Sequence, residues 1–338
     1  MSWDIPRRFC GIKLYMGKNR EYKYQKDISK WLNSGYGGNV RIVFQTKPGL
    51  ITTEAVITIY NLTKTQIERL AITSNMWSNG NVSYDNLIEL YAGYTTEEPK
   101  TQKIDWSNTQ LIFSGNIIEA KPNLNSSNFY ITLIAQSRFN DIQKQSGDTL
   151  IDLPGEQNVE TILNAIANKF SWVDKGGRLA KYKVNVAPEC KKLTKKDYNK
   201  VGNLREHLEF CNVEWEPYGH CFILSPENMI IWCDSLIHST ESGKPFWVDY
   251  RTNLIGTIQP NERGFECDII LSPQISRRNY ICLNNVSFPR LNTDKKTNDK
   301  IYTLLEFSHS GDTFGSDWRT HLVCVRQDLY KGNYTGEK

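Results

Sequence analysis

The segment Ser308-His309-Ser310-Gly311-Asp312-Thr313-Phe314-Gly315-Ser316-Asp317-Trp318-Arg319-Thr320 gathers a histidine, two carboxylates and several hydroxyls in one short stretch. Those groups are the raw material of hydrolysis. A paired-carboxylate hydrolase needs one acid with a raised pKa and one ionised partner across the scissile bond. A nucleophilic triad needs a third group, brought from elsewhere in the chain, to orient the histidine. None of the established motif spacings occurs here. The alternative reading is a glycine-bearing connection between strands, in which Gly311 and Gly315 supply positive φ and Asp312 and Ser316 bond the local backbone.

Two other constellations invite a chemical reading. His207 and Cys211 stand four apart, with His220 and Cys221 close behind, and four such side chains are the donor set of a zinc site. Adjacent ligands in a strand point to opposite faces, and no CxxC or HxxxH supports the site, so no metal is expected. Gly35, Gly37 and Gly38 form neither GxGxxG nor a phosphate loop, because the Lys and Ser/Thr of that loop are missing. Tyr60, Tyr91, Phe113, Phe129 and Tyr130 could stack bases on an OB-like barrel, but few Lys or Arg interleave with them. Core packing accounts for these aromatics.

The elements that must position these residues read mostly as strands. Windows 40–46 and 54–60 alternate apolar and polar residues. A helix is expected over 63–74, where Thr63 and Gln66 form a capping box. Further strands are expected at 87–92, 110–119 and 129–135, with a polar loop at 95–109. Composition changes near 147. Val159, Ile162, Leu163, Ile166 and Phe170 then fall at helical spacing, and a second helix is expected over 203–212 with Asn203 as N-cap and Glu206 at the capping-box position. A hairpin follows, 219–224 and 229–233, turning at Ser225-Pro226-Glu227-Asn228. After Ser242-Gly243 the strand pattern returns at 265–271, 279–284, 301–309 and 318–325. Lys191-Lys192 and Lys195-Lys196 read as a solvated loop.

The first and last thirds share an order: short strand, long polar loop, long apolar strand, turn, strand. The later strands of the first copy recur about 190 residues on in the second. This suggests two related β-barrels flanking an insert.

The chain has 338 residues and a formal net charge of +4, with 39% hydrophobic and 23% charged residues. Such a chain is globular rather than disordered, and it is only mildly basic for its size. Seventeen Tyr and nine Trp suit strands and interfaces. No apolar run is long enough to span a bilayer and the N-terminal residues lack a signal-peptide pattern, so the expected place of synthesis is a cytoplasm. The eight cysteines are scattered, which suggests buried thiols.

With these residues in place, a resemblance emerges. Phe44-Gln45-Thr46-Lys47 followed by Ala55-Val56-Ile57-Thr58-Ile59-Tyr60-Asn61-Leu62-Thr63 resembles the opening of tailed-bacteriophage baseplate hub proteins. So do Glu89-Leu90-Tyr91-Ala92-Gly93-Tyr94 and Leu111-Ile112-Phe113-Ser114-Gly115-Asn116-Ile117, since in that family a strand ending in Ala-Gly-Tyr precedes one carrying Phe-x-Gly-x-Ile. Segments 256–275 and 307–326 match the family's second barrel in order and character. Type VI secretion spikes carry a hub built on the same plan.

The resemblance implies a mainly β fold with an α+β insert. A first tail-hub barrel would lie at 1–147, a small α+β domain at 148–243, a second barrel at 244–332 and a short tail at 333–338. It implies a homotrimer whose six barrels form a ring between a hexameric tail tube and a central spike or tail-tip protein, among other baseplate proteins and the tape measure protein. It implies a virion tail location and assigns no catalytic residue, cofactor, metal, membrane insertion or sequence-specific nucleic acid. Gly93, Tyr94, Gly115, His309, Gly311, Asp312 and Trp318 are then candidates for interface or structural-loop positions. Two other functions remain as alternatives: a virion-associated cell-wall hydrolase resting on His309, Asp312 and Asp317, and an OB-like nucleic-acid binder.

Overall fold

A computed structural model describes residues 7–15, 40–49, 52–74, 77–78, 81–82, 87–95, 109–125, 128–137, 148–173, 179–215, 220–225, 229–235, 245–261, 264–276, 279–284 and 301–326. The loops expected at 95–109 and 285–300 fall almost wholly outside these residues, as do Gly35, Gly37 and Gly38, the turn at 226–228, Ser242-Gly243 and the tail at 333–338.

The first part of the chain contributes β1 (Arg7–Tyr15), β2 (Arg41–Pro48), β3 (Thr53–Tyr60), α1 (Lys64–Ser74), two short strands β4 (Trp77–Ser78) and β5 (Asn81–Val82), β6 (Leu87–Thr95), β7 (Thr109–Asn123) and β8 (Tyr130–Gln136). β3 shows why strands form here: Ala55, Ile57 and Ile59 are buried while Glu54 and Val56 face outward. α1 begins at the expected capping box. The Thr63 N–H donates to Gln66 Oε1 at 2.8 Å and the Gln66 N–H to Thr63 Oγ1 at 3.3 Å. Its buried Ile67 and Leu70 join the strand residues in one core. Each such side chain contributes about 1.5–3 kcal/mol on leaving water.

The middle contributes β9 (Thr149–Asn158), α2 (Val159–Lys169), β10 (Ser171–Val173), β11 (Leu179–Lys181), β12 (Lys183–Val186), a 3-10 turn Pro188–Lys192, β13 (Thr194–Gly202), α3 (Leu204–Trp215), β14 (His220–Ser225) and β15 (Ile230–Ser235). Asn158 caps α2 through the Thr161 N–H at 2.7 Å, and Asn203 caps α3 through the Glu206 N–H at 3.0 Å. The helices and small sheets share a second core. The lysines expected in a solvated loop are placed differently: Lys191 and Lys192 lie in the 3-10 turn, and Lys195 and Lys196 in β13. That strand pairs antiparallel with β9, and Tyr198 is its fully buried side chain. A strand anchored by one aromatic among polar residues has too little apolar alternation to be seen from the sequence.

The last part contributes β16 (Pro245–Asp249), β17 (Leu254–Pro260), β18 (Gly264–Ile270), β19 (Tyr280–Asn284), β20 (Ile301–Asp312) and β21 (Trp318–Arg326), around a third core. These strands join those of the first part in a twelve-stranded, mostly antiparallel sheet. Its order divides into two runs, β1-β6-β7-β8-β3-β2 and β16-β19-β20-β21-β18-β17, joined where β2 pairs β20. Taken in chain order the two runs are the same, strand for strand. β1 pairs β6 antiparallel whereas β16 pairs β19 parallel; every other matched pairing has one direction.

The likeness extends to a defect. The β7–β8 register slips between Ile117 and Glu119, and the β20–β21 register slips between Leu304 and Glu306. A bulge bends its strand and raises the local twist. Both bulged strands also run on beyond the ends expected from their apolar pattern. Among the described residues, no pairing joins β1 to β2 or β16 to β17. No described helix is long and apolar enough to cross a membrane.

Candidate functional site: the seam between the two sheet units

β20 pairs β21 along one side and serves two neighbours on the other. Its first residues pair β19, and its last four pair β2, with Thr46 opposite His309, Gln45 opposite Ser310, Phe44 opposite Gly311 and Val43 opposite Asp312. The absence of a side chain at Gly311 makes this approach possible. A Cβ there would lie 2.6 Å from the Phe44 ring and 2.8 Å from that of Trp318. Phe44 and Trp318 pack edge to face at 5.6 Å between centroids, and Tyr94 meets the same indole at 6.4 Å. Arg8, from β1, holds its guanidinium 5.8 Å from the Trp318 ring and donates to the Gly315 carbonyl at 2.6 Å. Trp318 is buried, and among the described residues its indole N–H meets no acceptor at hydrogen-bond geometry. It nevertheless lies near enough to the Tyr94 hydroxyl to act on it: burial pushes that phenol up to about 12, opposed first by Arg8 and then by Trp318.

Polar contacts close the same seam. Arg41 grips Asp312 with both ends of its fork, one contact being Nε to Oδ1 at 2.9 Å. Asp312 also accepts the Phe314 N–H at 3.0 Å. The Arg41 hydrogen bond holds this carboxyl below the usual carboxylate range, with the backbone donors adding to it against a smaller effect of burial. The Ile42 N–H donates to Thr313 Oγ1 at 3.0 Å, and the Thr313 N–H to the Ile42 carbonyl at 3.1 Å.

His309 is buried beside Thr320. The Thr320 hydroxyl accepts the Ser272 N–H at 2.9 Å and lies 2.9 Å from His309 Nδ1. Burial pushes this imidazole down to about 4, so at neutral pH it is uncharged. The three groups of the hydrolase reading are thus held by separate partners: His309 by Thr320, Asp312 by Arg41, and Asp317 by Ser310 and Arg319. His309 and Asp312, three apart on one strand, also project to opposite faces.

Of the candidate positions, Tyr94, His309, Gly311, Asp312 and Trp318 come together at the seam. Gly93 is buried in β6 opposite Phe9. Gly115 lies inside the first unit, where a Cβ would meet the Gln136 carbonyl oxygen and the Phe113 ring at 2.5 Å. Sequence reasoning missed Arg8 and Arg41. Their only signal was a basic residue at or near the start of an apolar strand, with no marker of the distant acid or carbonyl.

The zinc constellation is occupied by its own neighbours. Tyr198 O–H lies 2.9 Å from His207 Nδ1, and His207 Nε2 lies 3.1 Å from the Thr149 carbonyl. The carbonyl can only accept, so Nε2 carries the proton and Nδ1 accepts from the tyrosine. Burial lowers the His207 pKa and pushes the Cys211 thiol up to about 12. Among the described residues, no three potential ligands converge on one point. The side chains of His220 and Cys221 lie outside them.

No protein-family model and no curated protein sequence matches the chain. Solved structures do. The 43 kDa tail protein of prophage MuSo2 from Shewanella oneidensis aligns at TM-score 0.53 with 9% identity, over 95% of this chain and 98% of that one. The tail protein from Neisseria meningitidis MC58 aligns at TM-score 0.52 with 8% identity, over 94% and 97%. The chain has the fold of these two tail proteins along nearly its whole length.

Proposed function

We propose that this chain is the structural hub of a bacteriophage tail baseplate, three copies forming a ring that adapts the hexameric tail tube to the central spike or tail tip. The observation that carries this reading is the repeated order of six strands in one chain. Two similar units per chain, multiplied by threefold symmetry, give six similar surfaces to meet a sixfold tube. The fold shared with a prophage tail protein and a second tail protein supports the same reading.

On this reading 1–147 and 244–332 are the two tail-hub barrels and 148–243 an insert between them. The seam residues Tyr94, His309, Gly311, Asp312 and Trp318, with Gly93 and Gly115 in the first unit, are structural. The partners are two further copies, the tube, the spike or tip, and neighbouring baseplate proteins, including the tape measure protein. The chain acts in the virion tail, without catalysis. Antibody raised to the purified chain and coupled to gold should decorate disrupted phage tails at the end of the tube. Labelling of the capsid, or of no virion component, would overturn the proposal.

A further inference from the structure

Among the described residues, the seam within the chain has a counterpart left open. Matching the two bulges aligns Ile117 with Leu304 and Glu119 with Glu306. From there a row runs across each unit. Ile117 lies opposite Ala135, Ala135 opposite Ala55, and Ala55 opposite Thr46. In the second unit Leu304 lies opposite Cys324, Cys324 opposite Phe265, and Phe265 opposite Pro260. Thr46 therefore corresponds to Pro260 and Gln45 to Gln259, and continuing one residue along the strand sets Phe44 against Ile258, at the edge of the irregular stretch between Ile255 and Gln259. On the long strands His309 corresponds to Pro122, Ser310 to Asn123 and Gly311 to Leu124.

Within the chain, the end of β2 sits on the end of β20. The corresponding pair is β17 and the end of β7, and these belong to opposite ends of the sheet order. Among the described residues β17 is an edge strand, paired with β18 alone, and Ile255, Thr257 and Gln259 along it are exposed. An edge strand offers a row of backbone donors and acceptors to another chain.

We infer that β17 of one copy pairs antiparallel with the end of β7 in a second copy, Gln259 opposite Asn123 and Ile258 opposite Leu124. This repeats between chains the seam made within the chain by Gln45 opposite Ser310 and Phe44 opposite Gly311. The side chains exchange sizes in keeping with it: a phenylalanine faces a glycine inside the chain, and two mid-sized aliphatics face each other between chains. Pro260 opposite Pro122 closes the ladder at one end, since neither has an N–H to give. Gly256, at a φ of 72° in the irregular stretch between Ile255 and Gln259, ends it at the other. The contact is head to tail, so it propagates from copy to copy and closes only as a ring. This inference rests on the ring reading above and names the edges that close it.

The test is a double variant, Asn123→Cys with Gln259→Cys, oxidised mildly and run without reductant, with the mass of the native particle measured in parallel. Directly opposed residues in a ladder lie within disulfide reach. Disulfide-linked bands of two and three chains are expected in the double variant and in neither single variant. A three-chain particle without the cross-link would overturn the edge pairing and leave the ring standing. A single-chain particle without the cross-link would overturn both. A disulfide closed within one chain would overturn the edge pairing alone.

Discussion

Arg41 and Asp312 stand 271 positions apart in the chain, and their side chains lock the last residues of β20 onto the first of β2. The contact is bidentate and the carboxylate has a further backbone donor in Phe314. Arg41 is 41% exposed, so solvent screens part of the attraction.

Asp312→Asn should therefore lower stability by about 1 kcal/mol at neutral pH. The pH dependence has a definite sign. The folded carboxyl has a depressed pKa, so its contribution is complete above the ordinary aspartate value and is lost as pH falls through the lower folded value. Urea unfolding from pH 7 down to 2 should show the difference between the two proteins vanishing at the acid end. A constant difference would mean that the charge is not what holds the seam.

His309 predicts a slope at higher pH. Unfolded, it takes up a proton near 6.5; folded, it resists until about 4. Between those values the unfolded chain binds more protons, so stability falls as pH drops from about 6.5 to 4 and by no more below it. The difference is on the order of 3 kcal/mol. His309→Gln should flatten the unfolding midpoint across that window, leaving the smaller slope that His207, lowered in the same direction, supplies. An unchanged slope would contradict the burial of His309 as the cause.

Gly311→Ala would set a methyl against the Phe44 and Trp318 rings. The expected cost is about 1–3 kcal/mol, and near-ultraviolet dichroism should show the Trp318 environment disturbed. Full stability would mean that β2 and β20 do not approach this closely.

Much of the strand order was legible because β3, β8 and β21 alternate cleanly, with one face buried. α1 and α3 were legible from reciprocal caps, Thr63 with Gln66 and Asn203 with Glu206. β1 was not, because Arg7, Arg8 and Lys13 interrupt its apolar residues although Cys10, Ile12 and Leu14 are fully or nearly buried. β13 was hidden by its lysines. At the site, the expected connection with Gly311 and Gly315 at positive φ was wrong in its reason: neither takes a positive φ, Gly311 and Asp312 lie in β20, and what Gly311 supplies is room for the Phe44 and Trp318 rings. The partners Arg41 and Phe44 were not legible, because a pairing across such a separation leaves no local pattern.

Asp312→Ala and Asp317→Ala should leave peptidoglycan zymograms as blank as the parent does, since Arg41, Ser310 and Arg319 hold these carboxylates. A cleared band from the parent that disappears in either variant would make the chain a wall hydrolase.

The mass of the purified particle in solution, from sedimentation velocity and native mass spectrometry at several protein concentrations, tests the hub reading most directly. It should be three times that of the chain, with class averages in the electron microscope showing a ring around a channel. A monomer or a dimer at every concentration would contradict it.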